Sequence, residues 1–171
     1  RHLRSPMLFR DMGIAADRVL AAIAGNERIG IYADYDVDGI SGSAILIRFL
    51  RELGTEPFLY IPNRLAEGYG LNDGGVRRMA ESGVRLLITV DCGGVSHREV
   101  ALAASLGMDV VVCDHHQVSG TPLPALAVLN PLESGAGFPF RGLCGAGVAF
   151  YLALGVRMRL EDRPAAPPDE R

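Results

Sequence analysis

The sequence predicts an α/β fold: an open parallel β-sheet of about five strands with helices on both faces. Two observations lead to this prediction. Short apolar runs rich in β-branched residues alternate with helical patterns along the chain, which is typical of parallel strands joined by right-handed crossovers. The runs show little alternation of polar and apolar residues, as expected of strands that helices cover on both sides. A chain of 171 residues has room for one such domain.

Five segments are predicted strands, and turn or helix signals flank them. In chain order they are Arg28 to Ala33, Pro57 to Ile61, Leu86 to Val90, Asp109 to Cys113 and Ala127 to Leu129. Helical patterns fill the intervals at about Ile14 to Ala24, Ile40 to Leu53, Asp73 to Ser82, Ser96 to Leu106 and Gly145 to Leu154. Several of these helices end at a glycine, and Ser96 with Glu99 predicts a capping box on the fourth helix.

Composition and charge exclude several kinds of protein. No apolar run approaches the ~20 residues that a membrane-spanning helix needs, and no signal peptide begins the chain, so we expect no membrane contact and a cytoplasmic location. The net charge is −3 and every basic residue is an arginine, so net charge does not indicate nucleic-acid binding. The three cysteines form no C-x-x-C pair, which argues against a zinc cage and a disulfide framework.

Acidic and imidazole side chains follow three of the predicted strands. After the first strand come Asp34, Asp36 and Asp38, after the third comes Asp91, and after the fourth come Asp114, His115 and His116. Because parallel strands end at one edge of a sheet, these groups are expected to share one cleft. Close carboxylate pairs repel by about 4 kcal/mol at an effective dielectric near 20, so bound divalent cations are expected to neutralise them. Oxygen ligands with imidazole and no thiolate favour Mn²⁺ or Mg²⁺, and the number of ligands predicts two ions.

The same residues also have a structural interpretation. An isolated D-x-D-x-D is often a turn or a helix cap, a lone aspartate after a strand usually caps the next helix, and paired histidines often lie on the surface. The joint occurrence at three strand ends favours the metal site.

Five strings of residues together resemble the RecJ-type single-strand-specific exonucleases of the DHH phosphoesterase superfamily. They are ADYDVDG at Ala33 to Gly39, PNRLAEGYGLN at Pro62 to Asn72, TVDCG at Thr89 to Gly93, CDHH at Cys113 to His116 and LCGAGVAF at Leu143 to Phe150. The resemblance runs from about Pro6 to Leu160. It implies a metal-dependent phosphodiesterase that degrades single-stranded DNA from 5′ to 3′ in DNA repair and recombination, by two-metal activation of water.

The resemblance also implies which residues would bind each ion. Asp34 and Asp36 would hold one ion, Asp38 and His115 would hold the other, and Asp91 would bridge the two.

Four further residues receive roles from the resemblance. His116 would face the scissile phosphate as charge stabiliser or proton donor, and Asp114 would orient an imidazole. Asn63 and Arg64 would bind phosphate oxygens, since a guanidinium can donate two parallel hydrogen bonds to phosphate.

Two features of the family are missing from this sequence. The family supplies a further aspartate to the second ion from a strand downstream of the DHH triplet, and it carries a C-terminal substrate-binding domain. We therefore expect a DHH catalytic domain at residues 1–160, incomplete at its C-terminal end, followed by a linker or disordered tail at 161–171. The sequence looks like a fragment of a longer protein.

Other functions stay open at this point. Phosphatases of oligoribonucleotides or of phosphoadenosine phosphate belong to the same superfamily, and a non-catalytic DHH scaffold of replication or repair would bind partners only. A receiver domain is excluded because it needs a lysine, which the chain lacks. A haloacid-dehalogenase-type phosphatase would use Asp34 as nucleophile and would leave the histidine pair unexplained.

Overall fold

Five parallel strands form the central sheet and confirm the predicted fold class. The computed structural model describes residues 3–133, 135 and 137–162. The strands are β1 (Arg28–Ala33), β2 (Phe58–Tyr60), β3 (Val84–Val90), β4 (Asp109–Cys113) and β5 (Ala127–Leu129). Their order across the sheet is β2-β1-β3-β4-β5, and each neighbouring pair is parallel. Since β1 lies between β2 and β3, the order of the strands reverses between β1 and β3, where α/β sheets form their ligand sites.

Helices cover both faces of this sheet. After a 3₁₀ turn at Pro6–Leu8, they are α1 (Met12–Ala24), α2 (Val37–Glu52), α3 (Arg64–Glu67), α4 (Asp73–Glu81), α5 (His97–Ser105) and α6 (Gly145–Glu161). Helices α1, α2 and α6 pack with one face of the sheet in the larger hydrophobic cluster, and α4 and α5 pack with the other face in the smaller cluster. The short helix α3 buries none of its residues.

Both faces of the strands are apolar, which explains why the sequence shows so little alternation. In β3, Leu86 and Ile88 belong to the larger cluster, whereas Leu87 between them belongs to the smaller one. In β4, Val111 belongs to the larger cluster and Val112 to the smaller one. Successive side chains of a strand point to opposite faces, so a sheet with helices on both sides needs apolar residues at consecutive positions.

The element boundaries differ from the predicted ones in a few places. Strands β1, β4 and β5 have the predicted bounds, β3 begins at Val84 and β2 is shorter than predicted. Helix α6 continues to Glu161, because residues such as Val156 in its second half are still buried. The tail predicted from 161 therefore begins inside α6, and 163–171 lie outside the described residues. Within the described part of the chain, no helix combines the length and apolar character that crossing a membrane requires.

Candidate metal centre

Each of β1, β3 and β4 leads directly into an aspartate at the carboxyl edge of the sheet. One backbone hydrogen bond continues the ladder beyond each strand: from Asp34 N to Val90 O (3.1 Å), from Asp91 N to Cys113 O (2.8 Å) and from Asp114 N to Leu129 O (3.1 Å). The sheet itself therefore fixes the backbone of all three aspartates, and rigid elements hold site geometry better than loops do.

Asp91 lies at the centre of this edge. Its backbone adopts the left-handed region with a φ of 62°, which is uncommon for a residue other than glycine. The residue is 1% exposed, and its Oδ1 has no hydrogen-bond partner among the described residues. Burial, followed by the charges of Asp38 and Asp36, raises the pKa of Asp91 to about 8. An ionised Asp91 thus needs a positive charge close by.

Asp34 and Asp36 lie beside Asp91 and differ from each other in exposure. Asp34 is 3% exposed, its Oδ1 also lacks a partner among the described residues, and burial raises its pKa. Asp36 is exposed and caps α2, accepting hydrogen bonds from Asp38 N (2.8 Å) and Gly39 N (3.0 Å). The hydrogen bond from Gly39 is the main cause that lowers the pKa of Asp36. One carboxylate oxygen from each of Asp34, Asp36 and Asp91 lies within 4.8 Å of the other two.

A second group of ligand atoms shares Asp91. Ligand atoms of Asp91, His115 and His116 also lie within 4.8 Å of one another. His115 Nε2 is 3.1 Å from Asp91 Oδ1, although no hydrogen bond joins these two atoms. A ring nitrogen and a carboxylate oxygen that face each other without a hydrogen bond are arranged as they would be around a shared cation.

Asp38, the third aspartate after β1, differs from Asp34 and Asp36 in its contacts. It belongs to neither of the two groups found among the described residues, and its Oδ2 is 3.6 Å from His115 Nε2. Its carboxylate accepts hydrogen bonds from the backbone N–H groups of Gly145 (2.6 Å) and Ala146 (2.7 Å) at the start of α6. Asp38 therefore holds the N-terminus of α6 against the carboxyl edge, and its oxygens keep further lone pairs for a cation.

Asp114 is a buried hydrogen-bond acceptor that orients His116. Its Oδ1 accepts from His116 Nδ1 (2.7 Å) and from the backbone N–H groups of His115 (2.7 Å) and His116 (3.1 Å), and its Oδ2 accepts from Gly94 N (2.8 Å). A carboxylate oxygen is the acceptor in this contact, so Nδ1 of His116 is the ring nitrogen that donates. Burial lowers the pKa of His116, but the hydrogen bond and charge of Asp114 outweigh this effect and raise it.

Arg64 and the preceding Asn63 lie near the carboxyl edge, where the charge of Arg64 acts on Asp34. The side chain of Asn63 caps α3 by accepting from the N–H groups of Leu65 (3.0 Å) and Ala66 (3.2 Å). The guanidinium of Arg64 lies over the ring of Tyr35, 5.3 Å from the ring centroid. Arg64 is exposed, and its charge opposes the rise in the pKa of Asp34 that burial causes.

Tyr69 is the site residue to which sequence reasoning assigned no role. Its hydroxyl lies 3.4 Å from His116 Nδ1 and donates to the backbone oxygen of Asp91 at 3.5 Å. Burial raises the pKa of Tyr69, so this hydroxyl keeps its proton. Gly68 and Gly70 flank Tyr69 with φ values of 81° and 78°. The paired glycines of the string at Pro62 to Asn72 are the signal that could have singled out this tyrosine.

The residues at this edge fit a divalent metal ion. The fit rests on the buried Oδ1 atoms of Asp34 and Asp91, which have no hydrogen-bond partner within the described ranges. Such oxygens carry a large free-energy cost unless a hydrogen bond or a cation compensates them. The donor set consists of oxygen and imidazole nitrogen, and hard divalent cations accept such ligands.

Comparisons with known proteins agree with this geometry. The family model described as DHH family, N-terminal domain, matches residues 28–169. The chain is 40% identical over 158 residues to the single-stranded-DNA-specific exonuclease RecJ of Bacillus subtilis, a match that covers 92% of this chain. A solved structure of exonuclease RecJ bound to manganese superposes with a TM-score of 0.80 at 37% identity over 94% of this chain. RecJ of Thermus thermophilus in complex with Mn²⁺ gives a TM-score of 0.73 at 34% identity over 92% of this chain.

The chain is much shorter than the proteins it matches. It spans 20% of the Bacillus subtilis protein. It spans 40% of the chain in the manganese-bound structure and 22% of the Thermus thermophilus chain.

Proposed function

Because the chain belongs to the DHH family, we propose that it forms the metal-binding part of a RecJ-type exonuclease. The proposed activity is hydrolysis of phosphodiester bonds in single-stranded DNA, from 5′ to 3′, in DNA repair and recombination. The observation that carries the proposal is the pair of buried carboxylate oxygens on Asp34 and Asp91 that have no hydrogen-bond partner in the described structure, with His115 beside them.

The proposed ligands are five residues of the carboxyl edge, and the proposed ions are Mn²⁺ or Mg²⁺. Asp34 and Asp36 would hold one ion and Asp38 and His115 the other, with Asp91 between them. The membership of Asp91 in both groups of ligand atoms supports its bridging role. The 3.6 Å between Asp38 Oδ2 and His115 Nε2 leaves Asp38 within reach of an ion held by His115.

The protein groups around the ions would bind and orient the substrate. Two divalent cations, when bound, supply a water of lowered pKa and stabilise the oxygen that leaves. Asn63 and Arg64 would bind phosphate oxygens of the substrate near the ions. His116, held at Nδ1 by Asp114, would present its other ring nitrogen to the scissile phosphate as charge stabiliser or proton donor.

For the whole protein, we propose a cytoplasmic location and a C-terminal substrate-binding domain in addition to this chain. Within this chain, we propose residues 1–160 as the DHH catalytic domain. When the 171 residues are assayed by themselves, hydrolysis should be slow and confined to short oligonucleotides or activated diesters, because processive digestion needs persistent contacts with the strand.

Hydrolysis of an activated aryl phosphodiester in the presence of Mn²⁺ tests the proposal. We expect slow, Mn²⁺-dependent release of the aryl alcohol, and loss of this activity in Asp91→Ala. Asp73→Ala, a change at an exposed ion pair on α4, serves as the matched control and should retain the activity. A wild-type chain that binds Mn²⁺ but hydrolyses no diester would instead support a non-catalytic scaffold.

A further inference from the structure

Three exposed arginines on the β2 side of the sheet are held over aromatic rings. Measured from the guanidinium carbon to the ring centroid, the distances are 5.2 Å for Arg28 over Phe58, 5.6 Å for Arg78 over Tyr60 and 5.3 Å for Arg64 over Tyr35. We call these three residues, Arg28, Arg78 and Arg64, the arginine line. All three side chains are exposed to solvent.

The aromatic rings place the arginine line in order toward the metal centre. Phe58 and Tyr60 are two residues apart on β2, so they point to the same face of the sheet and lie about 6.5 Å apart along the strand. Tyr60 pairs in register with Tyr32, and Tyr35 follows three residues later, next to Asp34 at the carboxyl edge. The arginine line therefore runs along the side of the sheet and ends beside the proposed metal ligands.

The arginine line differs in charge pairing from six of the eleven other arginines that the structure describes. Six arginines form ion pairs with carboxylates: Arg10, Arg18, Arg51, Arg98, Arg157 and Arg159. In the part of the chain that the structure describes, no carboxylate lies within ion-pair distance of Arg28, Arg78 or Arg64. Their positive charges are thus held in place by aromatic rings and are not neutralised by direct ion pairs.

Glu67 is the acid whose charge interacts with the arginine line. Its pKa is lowered chiefly by the hydrogen bond from the Tyr60 hydroxyl and the backbone N–H of Asn63, and less by Arg78. The carboxylate accepts one of these two hydrogen bonds on each oxygen, and it forms no ion pair with Arg78 in the described structure. It therefore stabilises Tyr60 and the start of α3 and leaves the guanidinium of Arg78 available to another anion.

We propose that the arginine line binds the sugar–phosphate backbone of a single-stranded nucleic acid and leads it to the metal centre, an inference that rests on the proposed function. A guanidinium that stacks on a ring keeps the N–H groups at its edge for a phosphate, to which it can donate two hydrogen bonds. Arg28 donates from Nη1 to the backbone oxygen of Ser82 (2.7 Å), and its other N–H groups remain for a phosphate. Stacking also restricts the side chain before binding, so less conformational entropy is lost when the phosphate arrives.

The test compares single-strand binding by two arginine-line variants of the 171-residue chain, Arg28→Gln and Arg78→Gln. The probe is a labelled, single-stranded phosphorothioate oligothymidylate, which keeps the backbone charge and resists hydrolysis. Fluorescence anisotropy at several salt concentrations gives the affinity and its salt dependence. Each variant should bind more weakly than the wild type, and its plot of log affinity against log salt should be shallower by ~0.7 for each phosphate that the variant no longer neutralises.

The matched control is Arg48→Gln, an exposed arginine on α2 at the opposite face of the sheet. It should keep the wild-type salt dependence, because only the total charge changes. Wild-type slopes in both arginine-line variants, or an equal decrease in all three variants, would overturn the inference. Thermal melting identifies a variant that fails to fold, in which case the other arginine-line variant decides. Hydrolysis of the activated diester by the wild type is measured separately, so failure of the proposed function and failure of this inference are distinguishable.

Discussion

Asp91 combines three features at the scale of a single residue: a left-handed backbone, a buried carboxylate and an oxygen without a hydrogen-bond partner among the described residues. Each feature costs free energy in the metal-free chain. Their coincidence in one residue, beside Asp34 and His115, is expected of a functional site that is completed by a bound cation.

The raised pKa of Asp91 predicts how the stability of the metal-free chain depends on pH. The folded value is about 8, whereas an aspartate in an unfolded chain titrates near ~3.9. Between these values the folded state holds a proton that the unfolded state has released, so stability should fall as pH rises through this window. Thermal melting without metal checks this, with Asp91→Asn as the comparison. Asp91→Asn should lose less stability than the wild type between about pH 5 and pH 8, and an equal loss in both proteins would contradict the assignment.

Asp114 should influence catalysis through the orientation of His116. Asp114→Asn replaces an acceptor that binds His116 Nδ1 and three backbone N–H groups by an amide with one accepting oxygen. We expect hydrolysis of the activated diester to fall by roughly 10–100-fold, the usual effect of removing such a support, while the number of bound Mn²⁺ ions stays the same. Turnover numbers and a metal titration measure the two quantities. Unchanged turnover would show that the position of His116 does not matter for the reaction.

At the scale of elements, the approach of α6 to the carboxyl edge depends on the absence of a side chain at Gly145. A Cβ at this position would lie 2.5 Å from Asp91 Oδ1, closer than atoms can pack. Gly145→Ala should therefore displace either Asp91 or α6, destabilise the chain by about 1–3 kcal/mol and weaken Mn²⁺ binding. The control is Gly13→Ala in α1. A Cβ at position 13 meets no atom within 4 Å, so this substitution should stabilise the helix slightly. Thermal melts and Mn²⁺ titrations of both variants check this, and equal behaviour of the two would contradict it.

The elements show what local patterns can predict. The strands and five of the helices follow from apolar runs and glycine stops, and the aspartates reach one edge because parallel strands end there. The capping box was wrong, since the Ser96 side chain makes no cap hydrogen bond and the Glu99 carboxylate faces Arg98. Helix α3 was missed because it is four residues long and buries no apolar face. A side-chain cap and a four-residue helix do not produce a periodic pattern, so apolar periodicity could not decide either one.

Contacts between distant residues were beyond reach from the sequence. Asp38 and Gly145 are 107 positions apart, and only the packing of α6 on the sheet shows that they bind each other. Tyr69 reaches His116 across 47 positions for the same reason. The proposed metal ligands could be named from the sequence because they follow strands closely, whereas the residues that contact them depend on tertiary packing that no local pattern encodes.

At the scale of the whole molecule, negative and positive charges are separated around one edge. The net charge is only −3, but the carboxylates gather at the carboxyl ends of β1, β3 and β4, and the arginine line approaches them along β2. Divalent cations would reverse the local repulsion and allow an anionic strand to approach. Metal binding is therefore the condition on which both the stability of the edge and the proposed chemistry depend.

A calorimetric titration of the chain with Mn²⁺, repeated for Asp91→Ala and Asp36→Ala, tests this claim most directly. The wild type should bind two ions. Asp91→Ala should weaken the binding of both ions, since the Asp91 carboxylate belongs to both groups of ligand atoms. Asp36→Ala should chiefly weaken the binding of one ion. Saturation with Mn²⁺ should also raise the melting temperature of each protein. At a hundredfold excess of Mn²⁺ over the dissociation constant, the free energy of unfolding should increase by ~2.7 kcal/mol. No heat of binding and an unchanged melting temperature in the wild type would contradict a metal centre, and equal residual stoichiometry in the two variants would contradict the bridging role of Asp91.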